Sequence, residues 1–283
     1  MQANHLNIVI GNNRCNANCP FCISKLTPQR GNSLEINWRN LDRACLLAKN
    51  HGVSTVLLTG KGEPTLFPRQ ITEVLKHIQK YEFPIIELQT NGLLLRNPEY
   101  EEFLREWYNL GLTTIAISIV HYDKEMNKKI YTPNSDYLNL EEVISYLHKL
   151  GFTVRLTCTL IKGFIDTPEK VLKLINFAKR NKVEHLTLGF LSLPEINNDN
   201  KISLWIKRHM ITTDEKLGIY NALKMHGRVL LEYSFGTLFD VNGQNVFLRD
   251  CLSIGRNDKI RSLIFFPSGH LYFSWQYNGA IIF

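Results

Sequence analysis

Thr153-Val154-Arg155-Leu156-Thr157-Cys158-Thr159-Leu160 alternates without a break: Val154, Leu156, Cys158 and Leu160 form one set, and Thr153, Arg155, Thr157 and Thr159 the other. Successive strand side chains point to opposite faces, so this segment predicts a strand with one face in an apolar core and the other against something polar. Outward from it, Leu6–Ile10, Thr55–Thr59, Ile85–Gln89, Thr114–Ile119 and His185–Phe190 also read as strands. Helical stretches over roughly Asn37–His51, Pro68–Tyr81, Pro98–Leu110, Leu140–Leu150 and Pro168–Arg180 separate them. Three of these carry proline near the first turn, where its fixed φ and missing N–H are tolerated. Strands alternating with helices argue βα units around a parallel sheet.

A parallel strand buried on both faces is apolar on both. Here the third strand sorts into Ile86 and Leu88 against Glu87, Gln89 and Asn91, and the fourth into Ile115, Ile117 and Ile119 against Thr114, Ala116 and Ser118. The sixth sets Leu186, Leu188 and Phe190 against His185, Thr187 and Gly189. A closed eight-stranded barrel fills its interior with branched apolar side chains; six strands with a polar concave face predict an open barrel around a ligand. The expectation is an α/β chain, with a partial (βα)6 barrel over residues 1–195 and a small C-terminal α+β extension over 196–283 that completes and caps it. Asn197-Asn198-Asp199-Asn200 marks the boundary. Beyond it come a helix over Thr213–His226, a strand near Val229–Tyr233, and a hairpin of Ser262–Phe266 with Leu271–Trp275, turning at Pro267-Ser268-Gly269-His270.

With 283 residues, 44% of them apolar, the chain can bury a sizeable core, and no apolar run approaches the ~20 residues of a membrane-spanning helix. Its net charge of +7 leans toward anionic ligands. The absence of a basic cluster interleaved with aromatics argues against nucleic acid as a partner. Met1-Gln2-Ala3-Asn4-His5 lacks the apolar stretch of a secretory leader, so a reducing, cytoplasmic setting is expected for the cysteines.

Cys15, Cys19 and Cys22 follow the first strand at C-x3-C-x2-C spacing. Soft thiolates bind zinc and iron–sulfur clusters alike, but structural zinc takes four protein ligands and no fourth sits nearby. Three thiolates on one loop suit a 4Fe-4S cluster whose fourth iron stays open. Gly60-Lys61-Gly62-Glu63-Pro64 follows the second strand.

The cysteine spacing, Phe21 just before the third cysteine, and the Gly-x-Gly-Glu-Pro turn one βα unit later resemble the radical S-adenosylmethionine (SAM) enzymes. The resemblance covers roughly residues 6–190. It implies a TIM-like partial barrel, one oxygen-sensitive 4Fe-4S cluster on Cys15, Cys19 and Cys22, and SAM bound to the open iron by its amino and carboxylate groups. It also implies reductive cleavage of SAM to methionine and a 5'-deoxyadenosyl radical that takes hydrogen from a substrate, with a flavodoxin- or ferredoxin-type electron donor. Further implied cofactor contacts are Phe21, the backbone of Gly60, Lys61, Gly62 and Glu63, where glycine permits close approach, and Asn91, Ser118 and Arg155. Lys61 departs from the commoner Gly-Gly-Glu-Pro. With one cysteine beyond residue 158, the chain has no ligand set for auxiliary clusters.

Several of these residues carry two readings. An inward Arg155 needs an anion: the cofactor carboxylate in a bidentate contact, or a carboxylate such as Glu87. His121-Tyr122-Asp123 reads as a catalytic or substrate-contact loop, with His121 and Tyr122 as the candidates, or as a helix start capped by Asp123. Cys45 and Cys158 read as core. Cys251, in a polar stretch, reads as another buried cysteine or as a hydrogen-atom donor of the kind some radical SAM epimerases use. Tyr233, Asp240, Arg256, Arg261 and Trp275 are C-terminal candidates for substrate contact.

Three functions follow. The first is a radical SAM enzyme on a small anionic molecule such as a nucleotide or phosphorylated sugar. The second is a peptide or aminosugar epimerase that uses Cys251. The third, of another class, is a non-catalytic nucleic-acid binding module with a structural metal loop.

Overall fold

Alternation in sequence becomes alternation in burial. The structure, a computed structural model, describes residues 2–31, 33–133, 136–195, 200–251 and 259–283. Strands β1 (Gln2–Val9), β2 (Thr55–Thr59), β3 (Ile85–Thr90), β4 (Thr114–Ile119), β5 (Thr153–Leu160) and β6 (His185–Phe190) lie parallel and in chain order. In β5, Val154, Leu156, Cys158 and Leu160 are buried while the polar set is half-buried.

The connecting helices are α1 (Trp38–Asn50), α2 (Pro68–Ile78), α3 (Tyr100–Asn109), α4 (Lys124–Tyr131), α5 (Leu140–Lys149) and α6 (Pro168–Arg180). Local chemistry explains α6: the Thr167 hydroxyl accepts from Lys170 N–H, Pro168 opens the first turn, and Lys179 and Arg180 sit at the negative end of the dipole. Its Val171, Leu174, Ile175 and Ala178 recur at helical spacing and are buried.

The C-terminal third supplies α7 (Lys201–His209), α8 (Thr213–His226), β7 (Arg228–Tyr233), β8 (Gly236–Val241), β9 (Gln244–Asp250), β10 (Lys259–Phe265) and β11 (Leu271–Tyr272). One sheet of the described residues runs β11-β10-β1-β2-β3-β4-β5-β6-β9-β8-β7. The expected hairpin forms between β10 and β11, but β10 also pairs in parallel with β1, with His5 opposite Ser262. At the other edge β9 pairs in parallel with β6, with Gly189 opposite Arg249. The six expected strands are therefore the middle of a larger sheet. Helix α7 and strands β8 and β9 were not foreseen, and of α4 the sequence offered only its start at Asp123. The boundary signal at 197–199 and Arg256 lie outside the described residues. No helix among the described residues is long and apolar enough to cross a membrane.

Candidate functional site

Because these strands are parallel, the loops leaving their C-terminal ends gather at one end of the barrel. The loop after β1 carries Cys15, Cys19 and Cys22, all free thiols. Cys22 N–H donates to the Cys19 carbonyl at 3.3 Å, and Lys25 N–H to the Cys22 carbonyl at 3.1 Å, which starts a short 3-10 turn. The end of α4 holds this loop: Asn18 N–H donates to Tyr131 O at 2.8 Å and the Thr132 hydroxyl to Asn18 O at 3.2 Å. The Phe21 ring packs against Tyr131 and Trp205, 6.5 and 6.2 Å between centroids, in a small core with Val120, Ile161 and Leu191.

The glycine-rich turn after β2 is pressed onto the cysteine loop. A Cβ on Gly62 would fall 1.9 Å from the Arg14 carbonyl oxygen, and Glu63 N–H donates to that same oxygen at 2.9 Å. The backbone of the cysteine loop therefore demands glycine here, whatever the cofactor adds. The Glu63 carboxylate is buried. Its Oε1 accepts from Thr65 N–H (3.0 Å) and from the Thr65 and Thr90 hydroxyls (2.7 and 2.6 Å), and its Oε2 from Asn91 N–H (2.8 Å). Burial pushes the Glu63 carboxyl up, and these donors oppose it.

Asn91 Nδ2 then reaches Asn16 Oδ1 at 2.7 Å and lies 3.9 Å from Cys15 Sγ. The first three loops form one clasp. Lys61, also buried, donates from Nζ to Thr27 Oγ1 at 2.5 Å and to Thr27 O at 3.3 Å. Burial brings its pKa down to about 8, against an opposing pull from Cys22.

The thiols suit an iron–sulfur cluster. Burial raises the pKa of Cys15 and pushes that of Cys19 up to about 12, with the neighbouring thiols Cys22 and Cys15 adding to the second shift. A cationic group among them relieves both burial and mutual repulsion of the thiolates. Among the described residues no three His, Cys, Asp or Glu side chains converge on one metal ion. A cubane does not ask for that, since each thiolate binds a different iron.

Away from the loops, the inner face of the sheet is charged. Ser118 shares this face with Thr157. Arg155 donates from Nε and Nη2 to Thr187 Oγ1 at 3.0 and 2.9 Å, and from Nη1 to Glu87 Oε2 at 2.9 Å. Of the two anions open to Arg155 in the sequence, the structure supplies Glu87. His5 Nε2 lies 2.7 Å from the Ser262 hydroxyl, and its pKa falls to about 3 through burial, then through the charges of Arg249 and Arg155. These side chains come from β1, β5 and β9, and the sheet curls enough for the two arginine charges to act on His5. His5 and Arg249 escaped the sequence reading; period-two inwardness was the available signal, but His5 precedes the strand read from Leu6 and Arg249 lies in a strand that was not read.

His121 and Tyr122 are not brought to the cysteine loop. Tyr122 stacks on Phe177 of α6, 5.5 Å between centroids, and His121 Nδ1 accepts from Asp123 N–H at 2.9 Å. Asp123 caps α4 through Met126 N–H at 3.0 Å, and buried Asn127 accepts from Val120 and His121 N–H. The helix-start reading of this segment is the one the structure shows. Cys45 and Cys158 are buried in the main core. Cys251 sits just past β9, its Sγ 2.8 Å from where a Gly189 Cβ would stand, and burial raises its pKa. Among the C-terminal candidates, Trp275 joins Val9, Ile264 and Phe266 in an apolar cluster. Asp240 closes the β8–β9 turn, Tyr233 stacks on Phe235, and Arg261 lies over Phe235.

The sequence matches the family described as the Radical SAM superfamily over residues 9–178, and the chain belongs to that superfamily. It is an α/β radical SAM enzyme with a TIM-like barrel, of a family that uses a 4Fe-4S cluster and SAM. A GTP 3',8-cyclase of Aquifex aeolicus is 29% identical over 212 residues, 73% of this chain and 61% of that enzyme. One of Staphylococcus epidermidis is 26% identical over 220 residues, 75% and 59% respectively. The chain spans less than two thirds of the length of these relatives. Streptococcus suis SuiB bound to S-adenosylmethionine shares the fold, with TM-score 0.62 and 16% identity over 95% of this chain and 60% of that one. So does methylornithine synthase, with TM-score 0.56 and 13% identity over 78% and 62%.

Proposed function

We propose that this radical SAM enzyme acts on a small anionic molecule, a nucleotide in the first instance. The carrying observation is the barrel interior, where Arg155 is bonded to Glu87 and a second guanidinium, Arg249, lies within reach of both charges. The name GTP 3',8-cyclase borne by its relatives supports a purine nucleotide. When bound, the cluster and SAM supply a 5'-deoxyadenosyl radical that removes a substrate hydrogen. Cys15, Cys19 and Cys22 would hold the cluster, and Glu63 and Asn91 keep their loop in place. The backbone of Phe21 and of Gly60–Glu63, with Asn91, Ser118 and Arg155, are the proposed SAM contacts. A flavodoxin- or ferredoxin-type protein supplies the electron, and a reducing cytoplasm suits six free thiols.

The test is anaerobic: protein reconstituted with iron and sulfide receives dithionite, SAM, and either GTP or guanosine, and 5'-deoxyadenosine is measured by mass spectrometry. GTP should accelerate its formation over guanosine, and Cys19→Ala should form none. Equal rates with GTP, guanosine and no addition would sink the nucleotide reading.

The place of Cys251 favours a second reading, in which its thiol returns hydrogen in an epimerisation. The S–H bond gives one hydrogen atom to a substrate carbon radical, and the sulfur radical left behind recovers one electron from the reductant and one proton from solvent. Burial keeps the thiol protonated, as the step needs. In D2O the parent should place deuterium in its product and Cys251→Ala should not, while still cleaving SAM; equal labelling would remove this option.

A further inference from the structure

Arg249 carries a buried donor that the described protein does not satisfy. Its Nε is buried with no hydrogen-bond partner among the described residues. The register with Gly189, two residues beyond Thr187 on β6, puts Arg249 on the inner face that Arg155 shares. Cys251 Sγ packs over Gly189, 2.8 Å from where a Cβ would stand, which places this thiol beside Arg249.

Among the described residues, Glu87 is the carboxylate whose charge reaches Arg249. Glu87 accepts from Arg155 through Oε2 and from Gln89 Nε2 through Oε1 at 3.0 Å. His5 is neutral and bound to Ser262. Glu87 thus has Arg155 as its hydrogen-bonded cation, and Arg249 Nε has no partner among the described residues. A desolvated guanidinium without its anion is costly, and its planar fork matches the two oxygens of a phosphate or carboxylate.

We propose that Arg249 seats an oxyanion group of the substrate inside the barrel, beside Cys251. The seat rests on the reading that the substrate is a small anion, and it adds the residue that holds the charged end.

Calorimetric titration of the reconstituted holoprotein with pyrophosphate, malonate, GTP and guanosine tests it, in the parent, Arg249→Gln and Arg249→Lys. Pyrophosphate and GTP should bind the parent, guanosine at least tenfold more weakly than GTP. Arg249→Gln should lose at least tenfold for both anions and Arg249→Lys should regain part. Malonate binding more tightly than pyrophosphate would assign the seat to a carboxylate instead of a phosphate. Equal GTP affinity in parent and Arg249→Gln overturns the seat and leaves the nucleotide reading standing. Pyrophosphate binding that needs Arg249, with GTP no tighter than guanosine, keeps the seat and ends the nucleotide reading. Should Arg249→Gln fail to fold, the parent alone decides: neither pyrophosphate nor malonate raising its melting temperature overturns the proposal.

Discussion

The loop end of the barrel and its interior are built on opposite plans. At the loop end Glu63 accepts four hydrogen bonds, Asn91 ties β3 to the cysteine loop, and Lys61 is anchored on Thr27. In the interior Arg249 keeps a buried donor without a partner among the described residues. The first region is held together by the protein's own hydrogen bonds. The second is arranged around a charge that must come from outside. Several residues of the family motif therefore serve the scaffold as well as the cofactor.

The most damaging way to probe the loop end is Cys19→Ala, which should abolish the cluster absorption band and bring SAM cleavage to background; retained cleavage would remove the cysteines from the cofactor site. Glu63→Ala leaves four donors without their acceptor and should cost about 3–5 kcal/mol in urea unfolding. A loss under about 1 kcal/mol would mean that the clasp does not hold the loops. Gly62→Ala must move either the turn or the cysteine loop, since its Cβ would meet Arg14 O at 1.9 Å. That overpacking should cost roughly 1–3 kcal/mol and loosen iron retention, measured as iron per chain after gel filtration.

For the interior, His5 gives a pH signature. Its folded pKa of about 3 lies below the usual 6.5, so between these values the unfolded chain binds a proton that the folded chain does not. Stability should fall as pH drops through 6.5 toward 3, by at most about 1.4 kcal/mol per unit, and His5→Gln should flatten that slope. An unchanged slope would place His5 outside the cationic interior. The smallest effect is expected from Tyr122→Phe, which keeps the stack on Phe177. SAM cleavage should change less than twofold by rate assay; a drop of about 100-fold, the size of a lost acid–base group, would restore Tyr122 as a catalytic residue.

The inner six strands were legible because each is a short alternating run between helices with recognisable starts, and β4, β5 and β6 fall on the bounds read from sequence. Helix α7 was not, since it is short and buries few side chains, among them Ser203 and Ile206, while α4 was legible only at its start, where Asp123 reads as a cap. In the site, the cysteines and the Gly-Glu-Pro turn were visible as local patterns. What Gly62, Glu63 and Asn91 touch was not, because their partners Arg14, Thr90 and Asn16 lie 27 to 75 positions away, on other segments of the chain.

Sequence alone determined the strand faces, the cysteine spacing and the inward direction of Arg155, because each follows from a periodicity of a few residues. Only tertiary structure decided that β9 and β10 extend opposite edges of the sheet, that Arg155 is held by Glu87, and that the charge of Arg249 acts on His5 across the barrel. Strand order and charge pairing depend on how a sheet curls, and curling joins residues that no local pattern links.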